Sequence, residues 1–217
     1  MQKERILKKT EMFVKKALLH EGTGHDFWHI ERVRKNARLI NATEQADAFI
    51  IELAALLHDV GDRKVIKQDE DDYSIAKNFL KSQKVSDEVI DSVMFIIEHM
   101  SYSKTLNTKK EHASKEYYVV QDADRLDAIG AIGIARAFTY GGSAGRAMHD
   151  PTRKAPKITS TKSYRNAGSA TCQHFEDKLL LLKDLMNTKT AKKIATKRND
   201  VMKKFLVQFY DEWDGVR

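Results

Sequence analysis

Proline occurs at only two of the 217 positions of this chain, Pro151 and Pro156. Proline lacks a backbone N–H and clashes with the preceding turn, so it interrupts any helix that contains it. The rest of the chain is free to form long helices, and its apolar residues recur at the spacing of amphipathic helices. Residues 117–120 alone could form a strand, but no partner strand is evident. We therefore expect an all-α fold.

The apolar pattern also indicates where the helices lie. It predicts a helix ending near Gly22, a second over 28–40 that is interrupted at 41–43, and helices over 49–57, 73–80, 87–99, 117–140, 175–186 and 194–209. Residues 49–57 are apolar nearly all round, which predicts a buried central helix that stops before Gly61. Glycine inside a helix costs about 1 kcal/mol, so Gly130 and Gly133 indicate a close helix–helix approach.

Residues 141–170 break this pattern. They hold four of the ten glycines, both prolines, and six basic residues against one acid, Asp150. A non-periodic segment of this length inside a compact domain is usually disordered or a functional loop. We therefore expect a single-domain helical bundle, with a Gly/basic loop near 141–170 and C-terminal helices at about 172–212.

Composition narrows the class of protein. The net charge of +7, with a second basic stretch over 183–204, favours polyanionic partners such as nucleotides or nucleic acid. The single cysteine, Cys172, excludes an internal disulfide and a cysteine zinc site and predicts a reducing compartment. The N-terminus lacks the apolar segment of a signal peptide, and the longest apolar run, 48–57, is too short to span a bilayer. We expect a soluble cytoplasmic protein; the oligomeric state is not indicated.

Histidines and carboxylates occupy informative places. His58 and Asp59 close the most apolar helix, where an ionised carboxylate without a partner would be very unfavourable and a divalent cation would satisfy it. Further candidates are two histidines four residues apart and three carboxylates within six residues, namely His25, His29, Asp122, Asp124 and Asp127. Each alone is more often a core histidine or a helix cap. Together they predict a mixed nitrogen–oxygen site that suits Mn²⁺, Fe²⁺, Mg²⁺ or Zn²⁺.

Three segments resemble the ordered motifs of the HD-superfamily phosphohydrolases. They are residues 25–33 (His-Asp-Phe-Trp-His-Ile-Glu-Arg-Val), 56–62 (Leu-Leu-His-Asp-Val-Gly-Asp) and 122–126 (Asp-Ala-Asp-Arg-Leu). The resemblance covers a motif core at about 20–140, and the rest of the chain resembles that of small, single-domain bacterial members. The resemblance implies hydrolysis of phosphate esters or anhydrides, often in nucleotides. It also implies a metal bound by His29, His58, Asp59 and Asp124, the last preferred to Asp122 because it directly precedes Arg-Leu.

Other residues are candidates for the chemistry around this metal. Asp62 and His99 could orient water or protonate a leaving group. Positive groups must neutralise a phosphate tail, and the candidates are Lys64, Arg146, Arg153 and Lys154. We expect His25 to support the ligands without binding the metal. His174 and Lys178 would share a helix face at a spacing of four residues, which is more often an ordinary surface arrangement.

One departure from the family bears on the number of metals. Gly61 is followed by Asp62, whereas the two-metal members that act on cyclic dinucleotides have lysine there. We therefore expect one divalent ion, with Mn²⁺ favoured and Mg²⁺, Fe²⁺, Co²⁺ or Zn²⁺ possible. The Gly141–Arg146 segment lacks the Lys-Ser/Thr ending of a P-loop.

The size of the chain and its resemblance to the small members of this superfamily imply cleavage of a nucleoside triphosphate to monophosphate and pyrophosphate. A 5′-nucleotidase or a cyclic-nucleotide phosphodiesterase would use the same ligands. An alternative from another class is a basic, helical nucleic-acid-binding protein with a structural metal site, which the basic stretches favour.

Overall fold

A computed structural model describes residues 1–18, 26–62, 72–102, 113–152 and 170–216. The helices in these ranges are α1 (Gln2–Ala17), α2 (Phe27–Glu44), α3 (Ala48–Leu57), α4 (Ser74–Ser82), α5 (Asp87–His99), α6 (Lys115–Asp127), α7 (Gly130–Ser143), α8 (Thr171–Asp177), a 3-10 helix (Leu179–Leu185) and α9 (Lys189–Trp213). No strand occurs among the described residues, so the predicted all-α fold is confirmed. None of the described helices is long and apolar enough to cross a membrane.

The chain divides into two compact units, Met1–Asp124 and Arg125–Arg217. In the first unit, α3 is the central element and packs against α1, α2 and α5. Eight of its ten residues are buried, as the sequence predicted. Asp47 caps its N-terminus, where the carboxylate accepts hydrogen bonds from the N–H groups of Phe49 (2.7 Å) and Ile50 (3.2 Å). The cap thus fixes where α3 begins, and burial fixes how the helix lies in the core.

A buried ion network joins α1, α2 and α3. The Nε of Arg34 in α2 donates to Oε2 of Glu52 in α3 at 2.9 Å, and its Nη1 contacts Glu31 and lies 3.4 Å from Oε2 of Glu11 in α1. Arg38 also donates to both carboxylate oxygens of Glu52. Because buried charges need partners, this network ties the relative positions of the three helices to one another.

Two predicted helix ends differ from the structure. Helix α1 ends at Ala17, well before Gly22, which lies outside the described residues. Helix α2 is not interrupted at 41–43 and runs to Glu44. The side chain of Asn41 satisfies the chain beyond it, because its Oδ1 accepts a hydrogen bond from the N–H of Ala46 at 2.8 Å. Asn41 thus lies inside the last turn of α2 and stabilises the end of the helix, although it was expected to interrupt it.

The predicted helix over 117–140 is two helices, α6 and α7. Gly130 begins α7 with φ +78°, a conformation that glycine adopts without strain, and a Cβ there would lie 3.0 Å from the Arg198 side chain of α9. A Cβ on Gly133 would lie 2.3 Å from the carbonyl oxygen of Ala128. The predicted close contact with another helix therefore occurs at Gly130 and not at Gly133. Gly133 leaves room for the turn at Ala128, which precedes its own helix.

In the second unit, α9 packs against α7 and the 3-10 helix, around the rings of Phe138, Phe175 and Phe205. The predicted helix over 175–186 is interrupted, because α8 ends at Asp177 and the 3-10 helix follows. Lys178 lies between them with φ −144°, so it does not share a helix face with His174, contrary to the prediction. Of the predicted Gly/basic loop, 141–143 belong to α7 and 153–169 lie outside the described residues.

Candidate metal centre

His58 and Asp59 follow directly on the C-terminal end of α3. The Nδ1 of His58 lies 2.9 Å from the carbonyl oxygen of Ala55. A carbonyl only accepts, so Nδ1 carries the proton and donates it, which leaves the Nε2 lone pair free to bind an ion. Metal-binding histidines are commonly oriented by such a hydrogen bond on the second nitrogen.

The turn after His58 and Asp59 depends on Gly61. Its φ is +94°, and an added Cβ would lie 2.0 Å from the carbonyl oxygen of Asp72. The N–H of Asp72 donates to the Gly61 carbonyl at 2.8 Å. Only glycine suits both the left-handed backbone and this close approach. The glycine therefore closes the turn that holds the His-Asp pair.

His29 enters the centre from the first turn of α2. Its backbone N–H donates to Oδ1 of Asp26, the N-cap residue, at 2.9 Å. A carboxylate at this position satisfies an otherwise unpaired N–H and interacts favourably with the helix dipole. The His29 side chain is only 1% exposed. Capping and burial thus fix the direction in which this imidazole enters the core.

Three side chains converge within coordination distance of a shared ion. The Nε2 atoms of His29 and His58 are 3.2 Å apart, and Asp59 oxygens lie 3.5 Å from each of them. One ligand atom from each of these three residues lies within 4.8 Å of the other two. Ligands about 2.1 Å from one ion lie roughly 3 Å apart when they are neighbours, so this spacing fits a divalent cation.

Asp124 of α6 lies at the same cluster. Its Oδ1 is 3.5 Å from Nε2 of His29 and 3.9 Å from Nε2 of His58. Its side chain is 32% exposed, against 7% for Asp59, so Asp124 is the more solvent-accessible of the two carboxylates. Asp122 is fully buried. The structure thus brings together all four predicted ligands, and their binding of a metal stays a prediction.

The electrostatics of the cluster favour positive charge. Burial lowers the pKa of His58, but the carboxylates of Asp59 and Asp124 and the hydrogen bond to Ala55 raise it, and the net direction is upward. A divalent cation supplies the same neutralisation without a proton, and it requires the imidazole to be neutral. A metal ion bound here would therefore compete with a proton for Nε2 of His58.

The other predicted site residues have different outcomes. His99 ends α5, donates from Nδ1 to the Phe95 carbonyl at 2.8 Å and stacks on the Phe95 ring at 4.7 Å. Asp62 lies close enough to His58 for its charge to help raise the pKa of that imidazole. Arg146 belongs to the second unit, where its guanidinium lies 5.4 Å from the ring centroid of Tyr140. The remaining four, His25, Lys64, Arg153 and Lys154, lie outside the described residues.

Several polar side chains that hold the site were missed from the sequence. Asn36 of α2 donates to the carbonyl of Ala123 at 3.2 Å, next to Asp124. Gln121 donates to Tyr117 Oη at 2.8 Å and to the Met100 carbonyl at 3.1 Å, which ties α6 to the end of α5. The available signal in the sequence was a polar residue on an apolar helix face, which indicates a buried hydrogen bond. The sequence does not show which group is the partner in that bond.

Comparisons with known proteins agree with this geometry. Residues 27–129 match the HD domain family. A crystal structure from Lactobacillus plantarum is 38% identical, covers 98% of both chains and superposes with a TM-score of 0.85. An HD-superfamily hydrolase from Bacillus thuringiensis is 41% identical, covers 99% of both chains and has a TM-score of 0.73.

A third similar protein is Bacillus subtilis YpgQ, whose crystal structure is a complex with ADP. It is 36% identical, covers 98% of this chain and 97% of its own, and has a TM-score of 0.74. Identity above 30% over nearly the whole chain, together with the matched domain, establishes the family. The chain belongs to the HD superfamily of hydrolases.

Proposed function

We propose that this protein is a metal-dependent nucleotide phosphohydrolase that cleaves a nucleoside triphosphate to a monophosphate and pyrophosphate. The observation that carries the proposal is the convergence of two imidazoles and two carboxylates, His29, His58, Asp59 and Asp124. The ADP bound by YpgQ supports a nucleotide as the substrate. A cytoplasmic location belongs to the same proposal, since the single cysteine suits a reducing compartment.

The four side chains would hold one divalent ion. Their two nitrogen and two oxygen donors suit Mn²⁺, which we favour, and also Mg²⁺, Fe²⁺, Co²⁺ or Zn²⁺. When bound, such an ion activates water and polarises a phosphoryl oxygen. The fixed Nδ1–Ala55 hydrogen bond presents the lone pair of His58 to the centre. The more exposed Asp124 leaves the substrate a side from which to approach.

The reaction needs a water, a proton acceptor and a leaving group that is neutralised. The water oxygen forms a bond to the α-phosphorus as the bond to the α–β bridging oxygen breaks, and pyrophosphate departs. We assign Asp62 to orienting the water and accepting its proton. His99 would protonate the departing oxygen through Nε2, since its Nδ1 donates to the Phe95 carbonyl. The candidates for neutralising the phosphate tail are Lys64, Arg146, Arg153 and Lys154.

A nucleotide panel tests the proposal. The full-length protein is assayed with nucleoside triphosphates, monophosphates and cyclic nucleotides, with added Mn²⁺, Mg²⁺ or Co²⁺, and phosphate and pyrophosphate are measured separately. We expect pyrophosphate from triphosphates and little orthophosphate. Orthophosphate from monophosphates alone would replace the proposal with a 5′-nucleotidase, and opening of cyclic nucleotides would replace it with a phosphodiesterase.

Variants of the ligands connect activity to the metal. His58→Ala and Asp59→Asn should abolish hydrolysis and bound metal, as measured by elemental analysis. Asp91→Asn removes an exposed carboxylate of α5 in the same unit and should retain both. If the protein instead binds nucleic acid with a steep salt dependence, hydrolyses nothing and is indifferent to chelation and to His58→Ala, the nucleic-acid alternative holds.

A further inference from the structure

Trp28 is exposed although it adjoins a buried residue of the metal centre. Its side chain is 67% exposed, whereas His29, the next residue, is 1% exposed. It is the sole aromatic among the strongly exposed large apolar side chains described for the first unit; the others are Met1, Met12, Leu39 and Ile75. An indole offers a large apolar surface that is favourable to bury, so leaving it in water costs stability.

Helix geometry places this indole beside the centre. Trp28 and His29 lie in the first turn of α2, and successive residues of a helix point about 100° apart. The end of the Trp28 side chain therefore lies roughly 10 Å from Nε2 of His29, given the radius of a helix with its side chains. That is the scale of the separation between the phosphates and the base of an extended nucleotide.

A neighbouring ring restricts the indole. The centroids of Phe27 and Trp28 are 5.9 Å apart with the planes at 65°, an edge-to-face arrangement. The Nζ of Lys15 in α1 lies 4.7 Å from the centroid of Phe27, which holds that ring against the first helix. Trp28 is thus exposed and yet supported, so a flat ligand can stack on it with little loss of side-chain freedom.

We propose that Trp28 is the base-stacking platform of this enzyme and binds the purine or pyrimidine ring of the nucleotide whose phosphates meet the metal centre. The inference rests on the proposed function for the identity of the substrate. Stacking on an aromatic side chain tolerates every base, because each base presents a π face. Trp28 accordingly supplies affinity for the base and little choice among bases.

The test compares ligands with and without a base. Trp28→Ala, Trp28→Phe and the control Leu39→Ala, which removes another exposed apolar side chain of α2, are assayed on nucleoside triphosphates. Inorganic tripolyphosphate is measured as a competitive inhibitor. We expect Trp28→Ala to raise KM by roughly 5- to 150-fold, the range that base–aromatic stacking gives, with kcat within twofold. The inhibition constant of tripolyphosphate should not change, and Trp28→Phe should retain most of the affinity.

Two results would overturn the inference while leaving the proposed function intact. One is an unchanged KM in Trp28→Ala. The other is an equal rise in KM and in the inhibition constant of tripolyphosphate, which would report damage to the centre as a whole.

A fluorescence titration decides the matter without turnover. Trp213→Phe leaves Trp28 as the only tryptophan. We expect saturable quenching by ADP in the metal-loaded protein and none by tripolyphosphate. If the wild-type protein hydrolyses no nucleotide, the proposed function fails, and this titration alone judges the platform: quenching by ADP upholds it, and no response refutes it.

Discussion

The buried ion network yields a prediction whose size can be worked from the structure. Replacing Arg34 with methionine removes a buried guanidinium that contacts Glu52, Glu31 and Glu11 and keeps a side chain of similar length. Removing one partner of a buried ion pair costs about 3–5 kcal/mol. Glu52 keeps Arg38 as a partner, with Nη2 at 2.9 Å, so we expect the lower end, about 3 kcal/mol.

The double variant isolates the pair. Glu52→Met alone leaves Arg34 with Glu31 and Glu11, so we expect a loss of about 2 kcal/mol. Arg34→Met with Glu52→Met removes both buried charges and fills the space with apolar atoms, which is often close to neutral. Glu31 and Glu11 lose Arg34 in the double variant, and Arg38 loses Glu52. We therefore still expect a cost of about 2–3 kcal/mol, well below the sum of roughly 5, which is a coupling of about 2–3 kcal/mol.

Urea unfolding measures these free energies. Circular dichroism follows the unfolding of all of the helices. Because the chain has two compact units that can unfold separately, the fluorescence of Trp28 in a Trp213→Phe background is used to follow the first unit alone. Because α2 carries His29 and α3 precedes His58, metal affinity should fall in each single variant and recover in the double. Single effects that add within 0.5 kcal/mol would refute the reasoning, since residues that do not interact in the folded protein behave additively.

Three further predictions follow from the site and from the second unit. A metal ion at a thousand times its Kd should stabilise the protein by about 4 kcal/mol, which corresponds to a rise in Tm of roughly 8–16 °C. Scanning calorimetry should show that this rise vanishes with EDTA or in Asp59→Asn and persists in Asp91→Asn. Gly61→Ala should lower the free energy of unfolding by about 3 kcal/mol or more, through the left-handed backbone and the collision with Asp72. Gly142→Ala, which meets nothing within 4 Å and lies in the last turn of α7, should instead leave it unchanged or raise it by up to about 1 kcal/mol in the same urea assay. Burial raises the pKa of the Cys172 thiol to about 11, so at pH 8 only about one thiol in a thousand is ionised. Ellman's reagent should therefore react with Cys172 only after the protein is unfolded, and rapid reaction in the native protein would contradict this prediction.

The sequence predicted best what depends on periodicity. The bounds of α3 were predicted within one residue, because an almost wholly apolar stretch leaves little choice but burial. The break between α6 and α7 was missed, because apolar spacing continues through it and the decisive quantity is the positive φ of Gly130. Gly130 also lies where α9 passes closely at Arg198, and a local sequence pattern contains neither feature.

The candidate ligands were also predicted from the sequence. The cost of an unpartnered carboxylate at the end of an apolar helix indicated His58 and Asp59, whereas His29 and Asp124 came from the resemblance of their motifs to the HD superfamily. The side chains that hold these ligands in place were not predicted from the sequence. Glu52 is an acid within the apolar run 48–57, but its partner, Arg34, lies eighteen residues away on another helix. Pairings of this kind depend on how the helices cross, and the crossing follows from packing over the whole unit.

The same supports explain how a centre rich in carboxylates can exist in a folded chain. Helix α3 has ten residues, too few to be stable by itself, so its end is located by burial, by the Asp47 cap and by the Arg34–Glu52 pair. Asp59 then lies near a second carboxylate, Asp124. The two negative charges repel each other unless a positive charge is bound between them. Because the helices that carry the ligands are held by contacts independent of the metal, little of its binding free energy is needed to order the ligands. Variants of the supports should therefore weaken metal binding gradually, whereas variants of the ligands should abolish it.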